Sequence, residues 1–104
     1  MGQLIETCGL YGSSRVQVLQ LSDDSTTFAP TLVTVFDPGH YVQGVTALNA
    51  NSLLALTWRE RLLLTIDSLT LAVSPSAALF PSGVREGWGL TSDGANFFFI
   101  TDGT

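Results

Sequence analysis

The sequence predicts an all-β chain assembled from repeated antiparallel units. Three observations carry that reading. Short apolar or alternating runs of strand length follow one another along the 104 residues, separated by turns rich in Gly, Pro, Asn, Asp and Ser. No segment holds a sustained apolar stripe of helical period; the nearest, Thr70–Ala78, is interrupted by Pro75. The strands also recur at intervals of about 40–50 residues, the length of one four-stranded propeller blade.

Taken in order, strands are expected near Gln3–Cys8, Arg15–Leu21, Thr31–Phe36, Gly44–Leu48, Ser52–Trp58, Arg61–Asp67, Ala77–Phe80, Trp88–Thr91 and Asn96–Thr101. Turn chemistry separates them: Gly12-Ser13-Ser14, Ser22-Asp23-Asp24-Ser25, Pro38-Gly39, Asn49-Ala50-Asn51, Pro81-Ser82-Gly83 and Asp93-Gly94. Asp93-Gly94 is the strongest hairpin signal, because glycine tolerates the positive φ that tight hairpins demand.

The repeat shows in two sets of strands. Leu4-Ile5-Glu6-Thr7, Leu53-Leu54-Ala55-Leu56-Thr57 and Phe97-Phe98-Phe99-Ile100-Thr101 are apolar strands ending in Thr. Gly44-Val45-Thr46 and Gly89-Leu90-Thr91 each precede one of them, 45 positions apart. The chain therefore divides into residues 1–38, a blade lacking its first strand, residues 40–80, a complete blade, and residues 86–104, the start of a third. Asp102-Gly103-Thr104 reads as a turn with no strand returning from it. About two blades' worth of strands cannot close a ring, so the expectation is a piece of a larger propeller.

Composition narrows the function. Only 12% of residues are charged, about half the share of roughly 25% typical of soluble domains. With 45% apolar residues the chain is not a disordered tail. A net charge of −5 gives no sequence-wide basic footprint for nucleic acid or anionic membrane. The longest apolar runs, such as Phe97–Ile100, fall far short of the ~20 residues of a membrane helix, and no signal peptide follows Met1. Cys8 and His40 are the sole Cys and His. They are too few for a zinc ligand set, and Cys8 reads as a small buried thiol within a strand. Phe97-Phe98-Phe99-Ile100 is expected on an exposed edge, where it would drive self-association of the isolated chain.

Four segments then point to one family. In order they are Glu6-Thr7-Cys8-Gly9-Leu10-Tyr11-Gly12-Ser13-Ser14-Arg15, Tyr41-Val42-Gln43-Gly44-Val45-Thr46, Leu56-Thr57-Trp58-Arg59-Glu60 and Glu86-Gly87-Trp88-Gly89-Leu90-Thr91-Ser92-Asp93-Gly94. Together they resemble the plant- and bacterial-type glutaminyl-peptide cyclotransferases, which are five-bladed propellers. The resemblance implies an acyltransferase-class reaction without cofactor or metal. The N-terminal glutamine of a peptide or protein becomes pyroglutamate, and ammonia leaves. It also implies a secreted, vacuolar (endomembrane) or periplasmic setting.

The site residues follow from the same resemblance. Trp58 and Trp88 match two pocket tryptophans; read from the residues alone, they also suit aromatic cores between blades. Gln43 stands where the family carries a glutamate that acts as proton shuttle. An amide has no proton to exchange near neutral pH, so Gln43 cannot replace that base. Glu86 is a substitute carboxylate or, alternatively, a structural one. Arg15 matches a basic position and reads as a partner for a surface carboxylate. The family's Phe-Thr-Gln-Gly segment belongs before residue 1 and further pocket residues after residue 104, so this chain alone is expected to be inactive. The alternative is a non-catalytic propeller that binds peptides, a reading that Gln43 favours.

Overall fold

The computed structural model describes residues 2–103, and every regular element among them is a strand. The strands are β1 (Gln3–Cys8), β2 (Arg15–Leu21), β3 (Phe28–Val35), β4 (Val42–Asn49), β5 (Ser52–Thr57), β6 (Leu62–Asp67), β7 (Val73–Leu79), β8 (Gly89–Ser92) and β9 (Phe98–Thr101). They form three antiparallel sheets in chain order: β1-β2-β3, β4-β5-β6-β7 and β8-β9. Thr104, the last residue of the expected closing turn, lies outside the described residues.

Burial explains why β5 reads as a continuous apolar run. Leu53–Thr57 are all buried, because β5 is central in its sheet and covered on both faces. Alternation returns where one face is open. In β2, Val16 and Val18 are buried while Arg15 is exposed and Gln17 half-buried. These two valines pack with Phe36, Val42, Leu53, Ala55, Leu64, Ile66 and Leu71 into one core between the first and second sheets. Polar groups that enter it are satisfied: among the described residues no buried side-chain polar atom lacks a partner. Ser14 Oγ accepts from Leu10 N at 2.9 Å and Val42 N at 3.1 Å and donates to Leu10 O. It thereby joins the β1–β2 turn to the start of β4.

Two strands begin earlier than expected, on the far side of a proline, for one reason. β7 begins at Val73 and passes through Pro75; β3 begins at Phe28 and passes through Pro30. Both are edge strands, where a missing N–H costs no ladder bond. Register shifts sit beside both prolines. The Asp93-Gly94 turn departs the other way. Asp93 Oδ1 accepts from the backbone N–H of Ala95, Asn96 and Phe97 at 2.9–3.1 Å, with Gly94 at φ 80°. Those amides are lost to the ladder, so β9 starts at Phe98 rather than Asn96.

The outward faces are unusually apolar. Val35, Leu79, Phe97, Phe98 and Phe99 are all exposed. The molecule presents 6257 Å² of surface, above the roughly 5,700 Å² expected of a compact monomer of its mass.

Candidate functional site

Antiparallel pairing brings the start of β4 beside the end of β5, and the start of β8 beside the end of β9. Backbone bonds stitch these ends into one rim: Trp58 N donates to Tyr41 O at 2.8 Å, Gly87 N to Trp58 O at 2.8 Å and Trp88 N to Thr101 O at 2.9 Å. Thr57 anchors the turn behind it. Its Oγ1 donates to Leu62 O and accepts from Leu62 N at 2.8 Å, which holds the Trp58–Arg61 loop.

The rim gathers three of the four site residues expected from the sequence. Trp58 Nε1 donates to Glu86 Oε2 at 3.3 Å, and Trp88 Nε1 donates to the same oxygen at 3.0 Å. One carboxylate oxygen thus fixes both indoles. The rings meet edge-on, with centroids 6.1 Å apart, within the favourable range for aromatic pairs. Arg59 completes the cluster: its Nε lies 3.6 Å from Glu86 Oε1, and its guanidinium sits 4.1 Å from the centroid of the Trp58 ring. Trp88 remains 44% exposed, so part of its indole is open to solvent.

Glycines set how closely the rim packs. A Cβ on Gly87 would strike Thr57 O and lie 2.7 Å from Leu56 Cδ1. A Cβ on Gly103 would strike the Trp88 indole, and its φ of 73° already favours glycine.

Gln43 is placed differently. Val42 pairs with Thr57 and Gly44 with Leu56, which leaves Gln43 as the extra residue of a β-bulge. Bulges re-aim side chains and concentrate beside functional sites. Its carbonyl accepts from Thr7 Oγ1 at 3.3 Å, linking β1 to β4. Among the described residues its half-buried side chain has no hydrogen-bond partner. By the 45-residue offset, Gln43 stands directly before Gly44 of β4 as Trp88 stands directly before Gly89 of β8.

The sequence reading missed a second set of rim residues. Tyr11 and Tyr41 extend the aromatic row: centroids are 5.2 Å apart between the tyrosines and 5.3 Å from Tyr41 to Trp58. Glu60 fastens them, accepting from Tyr11 Oη at 2.7 Å and from Tyr41 N at 2.7 Å. The bond to Glu60 is the main cause that pushes the Tyr11 hydroxyl above its ordinary pKa. Both tyrosines and Glu60 lie inside the segments that carry the family resemblance, so the signal was present, but only the fold shows that they share one row.

Cys8 and Arg15 depart from expectation. Cys8 is half-buried at the last position of β1 rather than inside the core, and its thiol donates to Glu6 Oε1 at 2.7 Å. That bond, with burial, raises the thiol's pKa, while it and the Gln17 amide lower that of Glu6. A thiol held protonated is a poor nucleophile. His40 lines a separate cleft with Phe36, Asp37, Leu64 and Val73. Arg15 makes no ion pair among the described residues; its charge acts on Glu6 only through space. Those residues also contain no group of three or more His, Cys, Asp or Glu suited to a metal ion.

A search of curated protein sequences finds no match. The family model for glutamine cyclotransferase matches residues 1–104. With that match over its whole length, and with the indole–carboxylate rim where the family motifs converge, the chain belongs to the glutamine cyclotransferase family.

Proposed function

We propose that this chain builds part of a site that converts an N-terminal glutamine to pyroglutamate. One observation carries the reading in a chain of this family: a single oxygen of Glu86 holds the indole N–H groups of Trp58 and Trp88 on an open rim. In the reaction the substrate's α-amine attacks its own side-chain amide carbon. A C–N bond forms, the bond to the side-chain nitrogen breaks, and the amine's proton leaves with ammonia. The protein's tasks are to hold the folded geometry and to relay that proton. The two indoles, set edge to face, supply apolar surfaces that hold the glutaminyl chain and keep water away. Glu86 is a positioning residue for both rings. Gln43 contributes a hydrogen bond without proton transfer.

The experiment follows pyroglutamate and ammonia from a glutamine-initiated peptide. The chain with Gln43 gives no measurable turnover; robust turnover would contradict the role assigned to that position. In a protein that joins these residues to the family's remaining pocket groups, Gln43→Glu raises the rate by roughly 10² or more. An unchanged rate sinks the shuttle assignment. A second reading, peptide binding without cyclisation, is favoured by Gln43 itself. It gains if intact glutaminyl peptide is recovered unchanged from the complex and Gln43→Glu adds no activity.

A further inference from the structure

The proposed glutaminyl site accounts for Trp58, Trp88 and Glu86 but leaves the other half of the aromatic row unused. Tyr11 and Tyr41 continue the wall away from Trp88, and Tyr11 is 49% exposed. From Trp58 to Tyr11 the ring centroids are 6.4 Å apart. An extended peptide advances about 3.3–3.4 Å per residue and returns to the same face every second residue, about 6.7 Å on. A peptide whose first side chain rests on Trp58 therefore brings its third side chain to Tyr11.

The chemistry at that end selects a cation. Glu60 accepts one bond on each carboxylate oxygen, from Tyr11 Oη and from Tyr41 N. A carboxylate has about four acceptor positions, so each oxygen keeps capacity for a further donor. Two tyrosine rings beside a carboxylate give a cation both a π-face and an opposite charge. The molecule already contains such an arrangement: the Arg59 guanidinium lies 4.1 Å from the Trp58 centroid and 3.6 Å from Glu86. That pairing sets Arg59 against Glu86, although its charge also reaches the Tyr11 hydroxyl, and Glu60 is the carboxylate bonded to the tyrosines.

Resting on the proposed glutaminyl site, we infer that Tyr11, Tyr41 and Glu60 form a subsite for a basic third residue, so that the preferred substrates are peptides beginning Gln-Xaa-Arg or Gln-Xaa-Lys. The subsite binds the cation through the tyrosine faces and Glu60, beside the reacting glutamine and without touching it.

The test is titration of the 104-residue chain with short peptides, read by tryptophan fluorescence, since both tryptophans lie on the rim. The peptides are Gln-Ala-Arg, Gln-Ala-Leu and Gln-Ala-Glu, with a pyroglutamyl-Ala-Leu control for the first position. Gln-Ala-Arg binds about tenfold more tightly than Gln-Ala-Leu, and Gln-Ala-Glu most weakly. Glu60→Gln keeps an oxygen for Tyr41 N and removes the charge; it brings the affinities for the Arg and Leu peptides within about twofold of each other. Equal affinities for the Arg and Leu peptides in the unmodified chain overturn the subsite while the glutaminyl site stands. An arginine preference that survives Glu60→Gln overturns it as well. If the glutaminyl peptides bind no better than the pyroglutamyl control, the glutaminyl site fails and the subsite falls with it.

Discussion

Leu56 and Trp58 are two residues apart at one end of β5, yet they belong to differently built regions. Leu56 is fully buried, and beyond the ladder that pairs its backbone with Gly44 and Leu63 its side chain is held by shape and apolar contact. Trp58 stands on the rim, where directional bonds hold it: a backbone bond to Tyr41, an indole bond to Glu86 and the Arg59 guanidinium on its face. The core excludes water and has no group left to do chemistry. The rim leaves aromatic faces and carboxylate lone pairs in reach of a ligand. Stability should therefore depend on the first region and ligand binding on the second, and substitutions can separate them.

The largest stability effects belong in the core. Ile66→Ala or Leu56→Ala removes a fully buried side chain and costs about 2–5 kcal/mol, read from urea unfolding. Trp88→Ala, at a 44% exposed position, costs less than either, although it deletes a larger side chain. A Trp88→Ala loss equal to that of Ile66→Ala would show that the indole is a core element after all.

Next is the seam between the regions. Gly87→Ala sets a methyl group against Thr57 O and Leu56 Cδ1, so either the rim loop or β5 must shift. The expected cost is about 1–3 kcal/mol, with weakened binding of glutaminyl peptides, since Gly87 N also carries the bond to Trp58 O. A variant as stable and as tightly binding as the parent would break the claim that this contact sets the indole spacing.

Glu86 tests the rim by itself. Both indoles bond to the same oxygen, so Glu86→Gln can keep both bonds and Glu86→Ala neither. Glu86→Ala costs about 1 kcal/mol and shifts tryptophan emission to longer wavelength; Glu86→Gln largely restores the parent spectrum. If both variants leave emission unchanged, the carboxylate does not position the rings.

The same contrast governs what was legible in the sequence. β1 and β2 start and end where expected, because their apolar alternation is bounded by Gly and Ser turns. The core side of β5 was equally plain, since Leu53–Leu56 has no polar face. β7 was half missed. Pro75 reads as a breaker in isolation, and only the topology shows it on an edge where its missing N–H is harmless. Trp58 and Trp88 were visible through motifs, but Tyr11, Tyr41 and Glu60 were not assigned. Their association spans 49 positions, from Tyr11 to Glu60, and no local periodicity encodes such a contact. Cys8 misled for a related reason: free cysteines favour cores, but Glu6, two residues earlier on the same strand, accepts a hydrogen bond from its thiol.

The smallest expected effect is acid sensitivity, and it too should divide by region. Asp67 Oδ1 accepts from the amides of Thr70 and Leu69, and Asp93 Oδ1 from those of Ala95, Phe97 and Asn96. These bonds favour the ionised form and hold both carboxyls below the ordinary value of 3.8. A folded-state pKa below the unfolded one means that the unfolded chain binds protons first as pH falls. The stabilisation is therefore complete well above 3.8 and is lost as pH drops through the folded values. Asp67 closes the β6–β7 turn that seats Leu71, fully buried at φ 61°, in the core. Asp93 closes the exposed β8–β9 hairpin. Asp67→Asn should therefore flatten the fall in global unfolding stability between pH 5 and pH 3, while Asp93→Asn should change only amide exchange within β8–β9. Both variants keep an oxygen acceptor, so they isolate charge from turn geometry. If Asp93→Asn flattens the global acid limb as much as Asp67→Asn, the hairpin unfolds together with the core, and the division between the two regions fails in acid.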